Sequence, residues 1–159
     1  MFRRILLAYD GSVEGAVALR EGALLAKRCE ARVFILSVIP QTPGVRMAEG
    51  VHAGAIAQHS DHYRLLLERG VARLKELGFQ PVARLVVGEP VREIGKFARE
   101  VGADLVVVGH RRQNMLERWW SGPTQAYISD HIGCSLLIAR NAISDEAFEA
   151  ELRHTSVTA

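Results

Sequence analysis

The chain has 159 residues, of which 48% are hydrophobic and 24% are charged, and its formal net charge is +2. This length fits a single domain, because two independent halves would each be too small to bury enough surface. The nearly balanced charge argues against nucleic acid or an acidic polymer as a partner. Aromatic residues make up only 6% of the chain, so an aliphatic core is expected, which suits a parallel sheet covered by helices. The composition excludes a disordered chain, collagen and a disulfide-framework protein.

The compartment is inferred from the cysteines and the N-terminal residues. Cys29 and Cys134 are the two cysteines and lie far apart in sequence, so we expect two reduced thiols. Arg3 and Arg4 resemble the start of a secretory signal, but the apolar run behind them ends at Asp10 and is too short for one. No apolar run approaches the roughly 18 to 20 residues that span a bilayer. We therefore expect a cytoplasmic protein without a membrane partner.

The first third of the sequence predicts a strand, a helix and a second strand. Residues 5–9 are nearly all apolar and are followed by turn residues, which is typical of a strand buried on both faces. Ser12 can cap a helix over residues 13–29, where alanines and leucines at helical spacing form a slim face for packing on a sheet. An apolar strand follows over residues 32–39 and ends at Pro40.

The middle of the sequence predicts a loop, two helices and a strand between them. Residues 40–54 contain several prolines and glycines without any period, which indicates a loop. The helical period returns over residues 55–77, and a strand follows over residues 81–87. Pro90 then starts a helix, since proline is favoured at the first helical position, and its apolar face runs to Val101.

The last third completes the alternation of strands and helices. Residues 104–109 and 135–139 predict two further buried strands, and residues 124–132 predict the helix between them. Five strands and four helices in strict alternation indicate an α/β domain with a five-stranded parallel sheet and helices on both faces.

The residues after the fifth strand do not continue the alternation of strands and helices. We place the domain at residues 1–140 and a tail at residues 141–159. Within the tail, Ser144 can cap a short helix with acidic residues in its first turn, and the end beyond His154 is expected to fray.

Candidate ligand positions follow from the geometry of such a sheet. In open α/β sheets, ligands bind beyond the C-terminal strand ends, where the strand order reverses. The loops at these ends begin with Asp10-Gly11-Ser12, with Pro40 and with Gly109. The sequence has neither the pattern G-x-x-x-x-G-K-[ST] nor G-x-G-x-x-G after the first strand, which argues against a P-loop NTPase and a dinucleotide oxidoreductase.

Five pieces of sequence occur in a specific order, although no single piece is specific. They are the apolar strand into Asp10-Gly11-Ser12, the strand end Val38-Ile39-Pro40, Gly88-x-Pro90-x-x-x-Ile94-x-x-x-Ala98, Ala103 to Gly109, and Gly122 followed by His131-x-x-Cys134-Ser135-Leu136-Leu137-Ile138. Over roughly residues 2–140 the chain thereby resembles the universal stress protein family. The resemblance implies a Rossmann-like sheet, similar to that of the adenine nucleotide alpha hydrolases, in the order 3-2-1-4-5. It also implies homodimers that pair through the fifth strand, here Ser135, Leu136, Leu137, Ile138 and Ala139.

Many members of this family bind ATP through a pattern of Gly, two residues, Gly, nine residues, and Gly followed by Ser or Thr. Glycines let backbone amides approach phosphates, and the following helix N-terminus favours the anion. Here Gly109 and Gly122 fill the first and third glycine positions. Arg112 replaces the second glycine, and Pro123, which has neither a hydroxyl nor an N–H, replaces the Ser or Thr.

Other residues can compensate for these departures. Thr124 supplies a hydroxyl, and Arg111, Arg112 and Arg118 supply positive charge suited to phosphate. The resemblance places Asp10 near the ribose and metal, and the backbone at Val38 near adenine. The ligand that the resemblance implies for such a pocket is ATP or another adenine nucleotide with magnesium, although the altered phosphate positions leave open whether any nucleotide binds. The candidate nucleotide site comprises Asp10, Gly11, Ser12, Val38, Gly109, Arg111, Arg112, Gly122 and Thr124.

Each of these signals also has a plainer interpretation. Asp10 can cap a turn or helix, the glycines can be turn residues, and the basic stretch can be a solvated loop. His52, His59 and His62 share a face at helical spacing, but such histidines also occur by chance on surface helices, and we predict no metal site. Because His110 and His131 have no nucleophile at a recognisable spacing, we predict no catalytic site.

Three functions compete on the sequence alone. The first is a dimeric stress-response module for binding or signalling, with weak, altered or absent nucleotide binding and an unknown protein partner. The second is an ATP-binding member that acts as a nucleotide-dependent switch. An enzyme such as a phosphatase or ATPase ranks last, because no catalytic base stands at a recognisable spacing.

Overall fold

A parallel five-stranded sheet organises the chain. The computed structural model describes residues 1–40, 53–109, 128–140 and 143–156. The elements in chain order are β1 (Arg4–Ala8), α1 (Val13–Cys29), β2 (Arg32–Pro40), α2 (Ala53–Glu76), β3 (Val82–Gly88), α3 (Pro90–Val101), β4 (Leu105–Gly109), α4 (Ile128–His131), β5 (Ser135–Ala139) and α5 (Asp145–Ser156).

The strand order β3-β2-β1-β4-β5, with all neighbours parallel, confirms the predicted sheet. β1 lies at its centre, where Ile5 pairs with Val33 of β2 on one side and with Leu105 of β4 on the other. The chain first builds the sheet outward through β2 and β3 and then returns to the other side of β1. The strand order therefore reverses between β1 and β4, which is where ligands bind in sheets of this kind.

Helices cover both faces of the sheet, as predicted, because successive strand residues point in opposite directions. Ile5 and Leu7 belong to a core shared with α1 and α2, whereas Leu6 belongs to a second core shared with α3 and α4. Both cores are mainly aliphatic. Phe34 and Phe97 add an edge-to-face aromatic pair to the second core.

Several element ends differ slightly from the sequence predictions. α2 begins at Ala53, and β3 begins at Val82 rather than at Pro81, because proline has no N–H for the strand ladder. α3 begins at Pro90 as predicted, with Glu89 as a cap whose carboxylate accepts from the Val91 N–H at 3.1 Å. Residues 41–52 and 124–127, which complete a predicted loop and helix, lie outside the described residues.

The helix that follows β5 packs back onto the domain. The Ser144 hydroxyl accepts from the Ala147 N–H at 3.2 Å, which caps α5. Within the described parts of the chain, no helix is both long and apolar enough to cross a membrane.

Candidate functional site

The point where the strand order reverses brings the end of β4 against the start of α1. β1 ends at Ala8, and the chain turns through Asp10 and Gly11 into α1. A Cβ atom placed on Gly109, the last residue of β4, would lie 2.4 Å from the backbone oxygen of Glu14. Two predicted parts of the site, the turn after β1 and Gly109, are therefore close together in the fold.

A short hydrogen-bond chain fixes the turn after β1. Oδ1 of Asp10 accepts from the Ser12 N–H at 2.9 Å and from the Ser12 hydroxyl at 2.5 Å. The Ser12 Oγ in turn accepts from the Gly15 N–H at 2.9 Å, which confirms Ser12 as the cap of α1. The carboxylate thus lies over the first turn of α1, where the helix dipole stabilises a negative charge.

Two residues that support this turn were missed by the sequence analysis. A Cβ on Gly15 would lie 2.6 Å from Oδ1 of Asp10, so a larger residue would displace the carboxylate. Ser37 on β2 is fully buried, and its hydroxyl donates to the Tyr9 carbonyl at 2.6 Å. A serine within an otherwise apolar strand was the available signal, because a buried hydroxyl needs a hydrogen-bond partner.

α2 packs against the turn after β1. Gly11 has a left-handed backbone with φ of 75°, and a Cβ there would lie 2.6 Å from the Leu66 side chain. The Tyr9 ring packs against Gly70, where a Cβ would come within 2.9 Å of it. Burial raises the pKa of Tyr9, the Asp10 carboxylate raises it further and the Arg69 guanidinium opposes the shift. The phenol therefore stays neutral at physiological pH.

Val38 lies near the end of β2, at the same edge of the sheet. Its side chain is 9% exposed and belongs to the core under α3. A ligand at this strand end would therefore meet mainly its backbone, which is the role that the resemblance implies for it.

The predicted phosphate side of the site lies outside the described residues. This applies to Arg111, Arg112, Gly122 and Thr124, and also to Arg118 and Pro123. Their contribution to the candidate site stays a prediction.

A metal site among the histidines also stays untested as a whole. Where side chains are described, no three His, Cys, Asp or Glu residues converge on a point that could hold a metal ion. His52 and the side chain of His59 lie outside that part of the chain, while the His62 ring meets the Tyr63 ring edge-on.

The predicted dimer strand forms one edge of the sheet. β5 pairs with β4 on one side only. Its central residues Leu136, Leu137 and Ile138 are only half-buried in the single chain, although Ala139 is buried. The apolar edge is thus present, and pairing with a second copy stays a prediction.

Comparisons with known proteins agree over almost the whole chain. A sequence model of the universal stress protein family matches residues 1–140. A protein of Staphylococcus epidermidis named for this family is 30% identical over 154 residues, which are 95% of this chain and 92% of that protein. A Staphylococcus aureus protein with a similar name is 28% identical over 98% of this chain and 95% of its own length.

Solved structures show the same fold. A family member from Burkholderia pseudomallei matches with a TM-score of 0.63 and 26% identity, covering 85% of this chain and 93% of that one. A universal stress protein solved with cAMP matches with a TM-score of 0.64 and 22% identity, covering 89% and 99% of the two chains. One from Archaeoglobus fulgidus solved with dAMP matches with a TM-score of 0.59 and 19% identity, covering 88% and 98%. The chain belongs to the universal stress protein family.

Proposed function

We propose that this protein is a nucleotide-responsive binding module of the stress response. It takes an adenine nucleotide at the reversal point between β1 and β4, with phosphate contacts weaker than those of the usual family pattern. The observation that carries the proposal is the carboxylate of Asp10, held over the start of α1, the same turn on which Gly109 packs. Relatives of the same fold that were solved with cAMP and dAMP support an adenine nucleotide as the ligand.

Asp10 is the acceptor for the sugar end of the nucleotide in this proposal. A carboxylate is a charged hydrogen-bond acceptor, and at this position Asp10 can accept from ribose hydroxyls in addition to accepting from the N–H and hydroxyl of Ser12. These two bonds fix the orientation of the carboxylate before a ligand arrives, which lowers the ordering cost of binding. The adenine would then lie toward the end of β2, at Val38.

The phosphate end is altered in the sequence. Arg112 stands at a glycine position of the family pattern, and Pro123 stands at its hydroxyl position. Each lost hydrogen bond to a charged phosphate weakens binding by about 1.5–3 kcal/mol, which is roughly 10- to 100-fold. We therefore expect ATP to bind much more weakly than to a member with the intact pattern, and AMP to be affected less.

Calorimetric titration with ATP, AMP and cAMP, with and without Mg²⁺, tests this proposal. Asp10→Asn should abolish binding of all three, whereas Glu30→Gln, which removes a carboxylate at the opposite end of α1, should leave binding unchanged. Restoring the pattern with Arg112→Gly and Pro123→Ser together should raise the affinity for ATP at least about tenfold and that for AMP less. Sub-micromolar ATP binding by the unmodified chain would instead favour the nucleotide-dependent switch. If neither the unmodified nor the restored chain bound any nucleotide, the proposal would be wrong.

We further propose that the module is a homodimer paired through β5. An uncovered apolar edge strand invites pairing with another chain, and a second copy of β5 would cover Leu136, Leu137 and Ile138. Light scattering should give the mass of a dimer at micromolar concentration. Leu137→Lys should produce a monomer, because an edge lysine blocks pairing, whereas Val87→Lys on β3 at the opposite edge should stay dimeric. A monomeric unmodified chain would contradict this assembly.

A further inference from the structure

A single aromatic residue anchors α5 to the rest of the domain. Phe148 is 1% exposed, although α5 lies beyond the residues that the family model covers. The guanidinium carbon of Arg20 on α1 lies 5.7 Å from the centre of its ring, and that of Arg73 on α2 lies 6.0 Å from it. The ring therefore lies where the outer sides of α1 and α2 meet, with a cation from each helix beside it.

Charged groups align α5 with α1. Arg20 donates to the carbonyl of Ile143 at 3.1 Å and pairs with Asp145, while Arg28 pairs with Glu151 further along both helices. Because both pairs advance in the same direction, the two helices run parallel.

The floor between these arginines is apolar. Arg20, Leu24 and Arg28 are spaced four residues apart, so they form one row on the surface of α1. Leu24 is 9% exposed, yet it belongs to neither of the cores that cover the sheet. Because α5 pairs with Arg20 and Arg28 on either side of Leu24, α5 runs along this row of α1.

These residues define a surface with a clear chemical preference. We name Arg20, Leu24, Arg28 and Arg73 the arginine groove. We propose that the arginine groove is a docking site for an acidic amphipathic helix of a protein partner with one aromatic anchor, and that α5 is the occupant supplied by the chain itself. The composition of α5 matches this chemistry, because besides Phe148 it contains the acidic residues Asp145, Glu146, Glu149 and Glu151. A partner helix of the same chemistry takes the groove by displacing α5.

The contacts of α5 are of a kind that permits exchange. The side chains of the Arg20–Asp145 pair are 31% and 79% exposed, and those of the Arg28–Glu151 pair are 58% and 43% exposed. Ion pairs in such contact with solvent are weak and are screened by salt. A helix of 12 residues is also marginal by itself in water. Because α5 is joined to the domain by the chain, its effective concentration at the groove is in the millimolar range, and a partner helix must compete with it. Substitutions that weaken the contact of α5 with the groove must therefore raise the affinity for the partner.

Fluorescence anisotropy with a labelled peptide of residues 143–156 and the full-length chain tests the proposal. The unmodified chain should bind the peptide weakly. Phe148→Ala in the chain should bind it at least about tenfold more tightly, because the tethered competitor is weakened. A chain with both Asp145→Arg and Glu151→Arg should also bind the peptide more tightly. Unlike Phe148→Ala, this double variant leaves no cavity, because both side chains are in contact with solvent.

Three controls connect the binding to the groove. Arg28→Gln in the Asp145→Arg, Glu151→Arg chain should reduce peptide binding, because it removes a groove cation without creating a new ion pair to α5. A peptide carrying Phe148→Ala should not bind. Binding should also weaken as the salt concentration rises.

Hydrogen exchange measures the release of α5 directly. It should show faster exchange of the α5 amides in the doubly charge-reversed chain than in the unmodified chain.

The proposal fails if the doubly charge-reversed chain binds the peptide no better than the unmodified chain. It also fails if the α5 amides of the two chains exchange at the same rate. The doubly charge-reversed chain could instead form a dimer that persists when Leu137→Lys is added in β5. In that case α5 of a second copy would occupy the groove, and the proposal of a separate partner would be overturned.

Discussion

Gly109→Ala is the substitution for which the structure gives the sharpest expectation. Gly109 ends β4 and occupies the first glycine position of the nucleotide-binding pattern. An added Cβ would lie 2.4 Å from the backbone oxygen of Glu14, 2.6 Å from its carbonyl carbon and 2.9 Å from the backbone nitrogen of Gly15. The backbone of Gly109 is not left-handed, so alanine would be disfavoured by these contacts alone.

The size of the effect follows from what the methyl group meets. Overpacked sites typically lose about 1–3 kcal/mol of stability. Here the neighbours are backbone atoms of the first turn of α1, which cannot rotate away as a side chain can. We therefore expect a loss in the upper part of this range, about 2–3 kcal/mol. For a chain of this length, about 3 °C per kcal/mol translates the loss into a fall in Tm of about 6–9 °C.

Thermal unfolding followed by circular dichroism measures this loss. Gly133→Ala is the matched control, because no atom lies within 4 Å of its added Cβ and its backbone is not left-handed. It should change the stability by less than about 1 kcal/mol. If Gly109→Ala melted together with Gly133→Ala and lost only nucleotide binding, Gly109 would serve the ligand and not the packing of β4 on α1.

Three further expectations concern single residues. Ser12→Ala removes the hydroxyl that caps Gly15 N–H and should cost about 1 kcal/mol in urea unfolding; no loss would contradict the cap. Ser37→Ala removes the bond that the buried Ser37 hydroxyl donates to the Tyr9 carbonyl and should cost about 1–3 kcal/mol in the same assay. Burial raises the pKa of Glu21, so its carboxylate weakens the fold as the pH rises through that pKa. Glu21→Gln should therefore raise the Tm at neutral pH but not at acidic pH. An equal rise in Tm at neutral and acidic pH would contradict the raised pKa of Glu21.

Much of the fold could be predicted because its signals are local. Apolar runs closed by turn residues located all five strands, and β5 was placed at Ser135–Ala139 without error. The resemblance supplied the strand order, which the structure confirms. The errors lie at element ends such as Pro81 and Ala53, where a change of one or two residues costs little and the pattern alone does not decide.

The candidate site was harder to predict, because its geometry depends on contacts between segments that are distant in sequence. The sequence identified Asp10 and Gly109, but gave no reason for Gly15, whose importance depends on the position of the Asp10 carboxylate. Ser37 acts through a bond to the carbonyl of Tyr9, the residue directly after β1, and this contact depends on how β2 lies beside β1. A sequence pattern contains the residue types but not these distances.

The sequence by itself determined the class of fold, the aliphatic character of its core and the departures of Arg112 and Pro123 from the nucleotide pattern. Only the tertiary structure decided that Gly109 packs on the first turn of α1 and that Phe148 is buried beside Arg20 of α1 and Arg73 of α2. The physical reason is the range of the interactions. Periodicity and turn chemistry act between neighbours in the chain, whereas the atoms around Gly109 and Phe148 come from distant segments that meet only when the sheet and its helices have assembled.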